Sequence, residues 1–397
     1  MNFFVYFCSM NNFEAYNPTR IIFGKDQHHR IPELLKQHAV KTVLLAYGGG
    51  SIRKNGVYDK VMRQLDNFRV IEFGGIEANP EYTTLMKAAA IVKAEHIDFI
   101  LAVGGGSVID GIKFVAGAAR YDGDPWDVLE RKPGCDFKAA VPFGTVLTLP
   151  ATGSEANSGA VISRSEINEK RTMGGPLFFP VFSVCDPQVV ASLPARQIAN
   201  GIADSYMHTL EQYLTYPTGN FLQERQAEAI LSTLIEIAPK VMQNPDDYEA
   251  AANLMWCSTH ALNGNLRLGV PTDWCTHMIG HELTAFYGID HARTLAIIAP
   301  RLFENQFTNK FEKLVQYGTR VWNLKGSEQE IAQQAIRKTE IFFQELGIQT
   351  RISAYTTDTG FIAEAIKQRF IDRGWTEMGE RRAITPVDVE EIVLKSI

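Results

Sequence analysis

Hydrophobic and polar positions along this chain follow two periods, and the change from one to the other falls near residue 194. From about residue 20 to 190, short apolar runs alternate with stretches of helical period. The runs are Thr42 to Tyr47, Val70 to Phe73, Phe99 to Val103 and Ala140 to Leu147, with helices expected near Val57 to Leu65 and from Tyr82 to His96. Strands alternating with helices predict a parallel sheet with crossover helices. After Pro194 the strand pattern ends and apolar positions recur three and four apart. This spacing predicts helices over 195–215, 221–243, 248–262, 273–287, 291–305, 309–322 and 328–346, then shorter pieces. Pro187, Pro194, Pro217-Thr-Gly219, Pro271 and Gly347 punctuate these elements. At 397 residues the chain exceeds the usual size of one core. The expected organisation is an α/β parallel-sheet domain over 1–193 followed by an all-helical domain over 194–397.

Two of the apolar runs end in the same tetrapeptide. Gly48-Gly-Gly-Ser51 follows the run ending at Tyr47, and Gly104-Gly-Gly-Ser107 follows the run ending at Val103 and opens the stretch Val108 to Phe114. Glycines let backbone amides approach a pyrophosphate closely, and the positive end of the following helix favours negative charge. Neither copy has the Gly-x-Gly-x-x-Gly spacing of the common dinucleotide turn, and one alone would read as a tight turn; two at strand-to-helix junctions read as phosphate cradles. A third turn, Thr148-Leu-Pro-Ala-Thr-Gly-Ser-Glu155, offers hydroxyls at Thr148, Thr152 and Ser154. An acid after an early strand commonly accepts the ribose 2′-hydroxyl of NAD and repels a 2′-phosphate. Here no carboxylate follows Tyr47 until Asp59, while Ser51, Arg53 and Lys54 supply a hydroxyl and two cations, so NADP(H) is expected.

Candidate metal chemistry lies further along. Asp204 and His208 are four apart in a helical stretch and share a face, and His277 and His281 repeat that geometry. His291 follows Gly288, a helix-ending glycine, and Asp290, a cap for the next helix. A polar pair at this spacing is ordinarily a solvated face. Here the surroundings are apolar (Ile202, Tyr206, Leu210; Trp274, Met278, Leu283), which predicts burial and therefore a need for partners. Asp204, His208, His277 and His291 together suit one Fe(II) or Zn(II) with a position left open for a substrate oxygen. His28, His29, His38 and His96 lie in polar stretches and are expected at the surface; His260 is expected to be a hydrogen-bonded core histidine.

Composition narrows the partners. A net charge of −6 and no basic run longer than Arg381-Arg382 argue against nucleic acid and anionic membrane surfaces. No apolar run approaches the roughly 20 residues needed to span a bilayer. The five cysteines are scattered without a Cys-x-x-Cys pair, which fits a reducing cytoplasm. The apolar opening lacks a basic leader and a small-residue cleavage site, so it is not expected to be a signal peptide, and Met10 offers an alternative translation start.

Taken in order, Gly104-Gly-Gly-Ser-Val-Ile-Asp-Gly111, Leu149-Pro-Ala-Thr-Gly-Ser-Glu155, Asp186-Pro187, Gly201-x-x-Asp204-x-x-x-His208 and His277-x-x-x-His281 with His291 resemble the iron-containing, or group III, alcohol dehydrogenases. The similarity runs over nearly the whole chain from Met10 and is greatest to the NADPH-dependent aldehyde reductase and butanol dehydrogenase branch. It implies a Rossmann-like parallel-sheet domain followed by an all-α domain, the dehydroquinate synthase-like fold, with the site in the interdomain cleft and homodimers in which Thr19 to Phe23 takes part. It implies Asp204, His208, His277 and His291 as metal ligands and His281 as a non-ligand histidine. Gly49, Gly50 and Ser51 are placed at the adenosine ribose and its phosphate, Gly105, Gly106 and Ser107 at the pyrophosphate, and Asp110 near the nicotinamide. Thr148, Thr152 and Lys170, the last in a hairpin over 162–173, complete the implied coenzyme contacts. The family's usual Thr-Thr-Ala-Gly-Thr-Gly-Ser-Glu is altered here at Leu149, Pro150 and Ala151, which bears on the threonine contacts.

In such a site a metal polarises an aldehyde oxygen, the nicotinamide supplies hydride, and His281, one turn from His277, is the local proton donor or a structural partner of the ligands. His281 and Asp110 are the candidate catalytic residues. Rival readings are a glycerol-type polyol dehydrogenase, a dehydroquinate synthase-like lyase and a non-enzymatic coenzyme-binding regulator. The lyase needs a phosphate-binding set of cations in the helical half, where only Arg267 and Arg293 occur around 255–295.

Overall fold

The computed structural model describes residues 10–397; the expectations for the opening peptide and for translation from Met1 or Met10 concern residues outside that range. The described strands are β1 (Arg20–Phe23), β2 (Thr42–Tyr47), β3 (Arg69–Phe73), β4 (Phe99–Gly104), β5 (Phe143–Leu147), β6 (Ala160–Arg164), β7 (Glu169–Met173) and β8 (Phe182–Cys185). Six of them form one parallel sheet in the order β1-β8-β5-β4-β2-β3, and β6 and β7 form an antiparallel hairpin. The parallel sheet expected from the alternating pattern is therefore present.

Strand composition follows position in the sheet. Every residue of β4 and β5 is buried, as a strand covered on both faces requires; β4 reads as an unbroken apolar run, and the one polar side chain of β5, Thr145, donates to Ser183 Oγ at 2.7 Å. Edge strand β3 reads Arg-Val-Ile-Glu-Phe and leaves its charged residues exposed. The chain steps from β2 outward to β3, then returns past β2 to β4, so β2 and β4 flank the point where the direction of progression reverses. Tyr47 is in register with Val103, which brings Gly48 and Gly104 out of the same end of the sheet on adjacent strands. Ligands of open α/β sheets bind at the carboxyl ends of strands at such a reversal.

The helices after Pro194 are Ala195–Tyr213, Phe221–Gln243, Tyr248–Leu262, Cys275–Tyr287, His291–Asn305, Phe307–Arg320, Glu328–Glu345, Ile362–Asp372 and Pro386–Lys395. Local chemistry sets several ends. Ser327 and Glu330 form a reciprocal capping box, Thr385 and Asp388 another, and Gly288 ends its helix in the left-handed region at φ 67°. No helix among the described residues is long and apolar enough to cross a membrane.

The chain divides into two compact units. One comprises Tyr16–Ile198 with Gln243–Asn263; the other comprises Ala199–Met242, Gly264–Ile397 and the described residues up to Ala15. Tyr248–Leu262 belongs to the sheet unit. There it packs on the turns after β5 and β8, and Thr259 Oγ1 donates to the buried Glu155 carboxylate at 2.6 Å. Helical period reports that one face is buried and leaves open which core buries it. Residues 10–15 join the helical unit, where the Asn11 amide donates to the Gly269 carbonyl at 3.1 Å.

Gly104 ends β4 where the chain turns back tightly. A methyl group there would lie 2.5 Å from Val108 Cβ, too close to accommodate without moving the backbone. Gly104→Ala is expected to cost ~1–3 kcal/mol of stability, the usual range for overpacking, read as a lower urea midpoint with unchanged slope. An unchanged midpoint would show that this turn is slack.

Candidate metal and coenzyme sites

In the helical unit, Asp204 projects from Ala195–Tyr213, His277 from the first turn of Cys275–Tyr287, and His291 opens His291–Asn305. Asp204 and His277 are buried, and His291 is partly so. Each of these three offers one ligand atom, and the three atoms lie within 4.8 Å of one another. His208, the fourth expected ligand, lies alongside and is outside that trio. Its Nδ1 is 3.7 Å from Asp204 Oδ1 and its ring stacks on that of His277 with centroids 4.7 Å apart. His281 also stands outside the trio, its ring 5.0 Å from His291 and 6.3 Å from His277.

These residues fit a divalent cation. Asp204 Oδ1 is buried and accepts no hydrogen bond among the described residues, while His208 Nδ1 and His291 Nε2 both stand 3.7 Å away. That separation is too long for a hydrogen bond. It approximates the spacing of two ligands around one ion held at about 2.0–2.2 Å. A buried carboxylate oxygen so placed is costly unless a cation compensates it.

Glu211 was not anticipated from the sequence, although it continues the Asp204 and His208 face by one further turn. Its carboxylate meets Nδ1 of His277, and its other oxygen accepts the Thr276 amide at 2.7 Å. A proton held on Nδ1 by a carboxylate fixes the imidazole tautomer and leaves Nε2 as the ligand atom. Burial, reinforced by the negative charge of Asp273, pushes the Glu211 carboxyl up to about 8. Asp273 is itself clamped by the buried Lys310 ammonium at 2.9 Å, and Lys310 also holds Glu380 at 3.1 Å. Trp274, a candidate pocket wall, stands edge-on to His277 with centroids 5.3 Å apart, whereas Tyr287 donates its hydroxyl to the Asp358 carbonyl. Trp256 belongs to the sheet unit, where it packs on Phe23 and His260.

Other histidines separate by burial. His29, His38 and His96 are exposed as expected, and His260 Nδ1 is 3.2 Å from Asn263 Nδ2. His28 corrects the expectation of a surface residue: it is buried, with Nδ1 3.7 Å from Asp186 Oδ2. The polar run Asp26 to Arg30 turns as a short 3₁₀ segment, which aims one of its side chains inward. Asp290 occupies the N-cap position, but its carboxylate is taken by Asn200 Nδ2 at 2.8 Å instead of capping the helix.

In the sheet unit the two glycine turns stand at neighbouring strand ends. Added methyl groups at Gly49 and Gly50 would meet nothing within 4 Å, and Gly50 has φ 91°, so this backbone is uncovered and conformationally committed to glycine. Gly105 caps the helix Gly106–Ala118, and a methyl at Gly106 would strike Thr152 Oγ1 at 2.4 Å. Thr148 joins this group through its amide, which donates to the Gly104 carbonyl at 3.0 Å. Ser107 donates its hydroxyl to the Ala78 carbonyl, and Lys170 on β7 reaches Asn79 Oδ1 at 3.3 Å, so two expected coenzyme residues converge on one loop.

Asp110 is anchored twice, accepting from Ser154 Oγ at 2.7 Å and from the Val161 amide at 2.9 Å. Burial raises its carboxyl, with the nearby Lys113 ammonium acting in the opposite sense. Lys113, assigned no role from the sequence, is fully buried and donates to Asn157 Oδ1 and the Gly159 carbonyl; burial pulls its ammonium down to about 8. At the ribose end Arg53 is bound to Glu72 of β3 at 2.7 Å. That acid was missed because it is remote in sequence from the first glycine turn and adjacent only in the sheet.

Residues 18–187 match the iron-containing alcohol dehydrogenase domain, and residues 198–396 match the C-terminal domain of the Fe-containing alcohol dehydrogenase family. The chain belongs to the iron-containing alcohol dehydrogenase family. It is 48% identical over 379 residues to the NADPH-dependent aldehyde reductase YqhD of Escherichia coli, covering 95% of this chain and 97% of that protein. It is 40% identical to the probable NADH-dependent butanol dehydrogenase 1 of Bacillus subtilis, covering 98% and 100%. The crystal structure of Escherichia coli YqhD superposes with a TM-score of 0.95 at 46% identity over 98% of this chain and 100% of that one. That of the NADH-dependent butanol dehydrogenase A of Thermotoga maritima gives 0.92 at 32% identity over 97% and 98%. The branch expected from the motifs, aldehyde reductases and butanol dehydrogenases, is the one these relatives occupy.

Because Glu211 orients His277, Glu211→Ala is expected to weaken metal retention roughly 10–100-fold, the usual effect of losing a carboxylate behind a ligating histidine. Competition with a chelator of known affinity measures this. Retention equal to that of the unaltered protein would reduce Glu211 to a packing residue.

Proposed function

We propose that this protein is an NADP(H)-dependent, divalent-metal-dependent aldehyde reductase and alcohol dehydrogenase, interconverting short- to medium-chain aldehydes and primary alcohols such as butanal and butanol. The observation that carries this reading is the trio of ligand atoms from the buried Asp204 and His277 and the partly buried His291, backed by Glu211. His208 completes the proposed ligand set, and Fe(II) and Zn(II) both suit it. Bound there, the metal supplies Lewis-acid polarisation of a carbonyl oxygen, and the reduced coenzyme supplies the hydride.

The chain's own residues do the remaining work. Asp204 sets the charge of the site, and Glu211 keeps Nδ1 of His277 protonated so that Nε2 faces the other ligands. Gly49, Gly50 and Ser51 are proposed to admit the adenosine ribose and its 2′-phosphate, and Gly105, Gly106 and Ser107 the pyrophosphate, at the positive end of Gly106–Ala118. Thr148 and Thr152 follow β5 at the same strand ends, and Lys170 on β7 reaches the loop at Asn79. Asp110 is proposed to work from its fixed position between Ser154 and Val161, near the nicotinamide. His281, beside the trio without belonging to it, is proposed to deliver a proton from its imidazole to the product oxygen.

A lyase of similar fold needs cations for a substrate phosphate. Arg293 is committed to Asn200 Oδ1 at 3.1 Å and lies 3.6 Å from Asp290, and Arg267 is exposed, which favours hydride transfer. We further propose a cytoplasmic homodimer. β1 pairs with β8 along one edge only, leaving the other edge for a second copy. The described cysteines Cys135, Cys185, Cys257 and Cys275 are all free thiols.

With NADPH and butanal, the absorbance of the reduced nicotinamide should fall, stop on chelation and resume on adding Fe(II) or Zn(II). Metal-replete protein inert towards every aldehyde and alcohol, with either coenzyme, would refute the assignment. His281→Ala is expected to lower kcat by at least about 100-fold, the low end for a lost general acid, while metal content measured by mass spectrometry stays intact. Loss of the metal in that variant would make His281 a ligand.

A further inference from the structure

The sequence offers cations but no acid directly after β2, whereas the fold adds one from the neighbouring strand. Glu72 lies near the carboxyl end of β3, paired in register with Leu45 of β2. It therefore stands on the strand next to the one that the first glycine turn follows; at the adenosine ribose of dinucleotide folds an acid reads the 2′-hydroxyl, while an arginine receives a 2′-phosphate. Here both groups are present and bound to each other. Arg53 Nη2 donates to Glu72 Oε2 at 2.7 Å and to the Tyr47 hydroxyl at 2.9 Å, and its guanidinium lies 3.8 Å from the centre of the Tyr58 ring. The Tyr58 hydroxyl donates to Glu72 Oε1 at 2.8 Å, and the Tyr47 hydroxyl to Oε2 at 3.0 Å.

Two features make this more than a surface ion pair. The uncovered backbone of Gly49 and Gly50 lies just before the helix Ser51–Lys54 that carries Arg53, so the pair is three residues along the chain from a turn left open. The Arg53 and Glu72 side chains are 48% and 35% exposed. A pair so exposed contributes little stability and therefore opens readily when a better anion arrives. A 2′-phosphate is such an anion, since it accepts two parallel bonds from a guanidinium and carries more charge than a carboxylate.

We infer that Glu72 and Arg53 form the coenzyme selector of this protein. With NADP(H), Arg53 leaves Glu72 for the 2′-phosphate; with NAD(H), the pair stays closed and Glu72 accepts the 2′-hydroxyl. Glu72 thus restrains a preference that Arg53 creates, through competition for the guanidinium and repulsion of the phosphate. Tyr58 and Tyr47 hold the released carboxylate and the departing guanidinium close to one another. No covalent step is involved. The inference rests on the glycine turns being the coenzyme site proposed above.

The test compares Glu72→Gln and Arg53→Gln with the unaltered holoenzyme, using butanal and each reduced coenzyme for kcat/KM. Calorimetry of the ADP half of the coenzyme, with and without the 2′-phosphate, supplies a readout independent of turnover. Glu72→Gln is expected to raise the NADPH-to-NADH ratio about tenfold, and Arg53→Gln to lower it by about tenfold or more, as loss of one charged partner of a phosphate or hydroxyl implies. Both side chains are exposed, so thermal midpoints should hardly move. Ratios within about twofold of the unaltered protein in both variants, with turnover intact, would overturn the selector while leaving the coenzyme site in place. Failure of the unaltered protein to bind either ADP ligand would remove the site itself, and the selector with it.

Discussion

Carboxyl groups buried among the helices are the constraint around which the helical unit is arranged. Asp204, Glu211 and Asp273 are buried residues, the Glu380 side chain is almost fully covered, and Lys310 is the buried cation that touches this group. Lys310 satisfies Asp273 and Glu380, and its Nζ also donates to the Leu214 carbonyl at 2.7 Å. Glu211 and Asp204 are left to the imidazoles of His277, His208 and His291. Asp204 Oδ1 is left without a hydrogen bond among the described residues, a position that a shared cation would compensate. One requirement, a partner for each polar group held away from water, links Lys310, the imidazoles and Glu211 behind His277.

The sheet unit obeys a different constraint. Parallel strands covered on both faces expose only their ends, so ligand chemistry must be assembled from the turns that leave them. Gly48 to Ser51, Gly104 to Ser107 and Thr148 to Ser154 leave adjacent strands at the same end, and the helix Gly106–Ala118 locks them together. Asp110 and Lys113, one helical turn apart, reach the Ser154 to Val161 segment by separate bonds. Burying both ends of this polar set costs desolvation, which each group feels as a shifted proton affinity. In exchange, the segment from Ser154 to Val161 is fixed in place.

The two constraints differ in how far they tolerate change. Around the histidines, removing one partner leaves a polar group of Asp204, Glu211 or His277 buried without compensation. Around Arg53 and Glu72, water screens every member and the pair can be traded for a ligand at small cost. Family membership and close relatives fix the class of chemistry, while such exposed, exchangeable groups are where coenzyme preference within a family can drift.

Much of this was legible in the residues. Period alone predicted the helices after Pro194 nearly to their ends and the alternation before it, because burial of one helical face or both strand faces is written directly into hydrophobic spacing. Asp204, His277 and His291 were legible because an acid and imidazoles among apolar neighbours demand partners. Tertiary structure alone decided the rest. It assigned Tyr248–Leu262 to the sheet unit, turned His28 inward beside Asp186, stacked the His208 ring on that of His277, brought Glu211 to His277, and carried Glu72 across from β3 to Arg53. Spacing along a chain determines which side chains share a face; which two faces meet depends on strand order and helix packing, and those are set by the whole core at once.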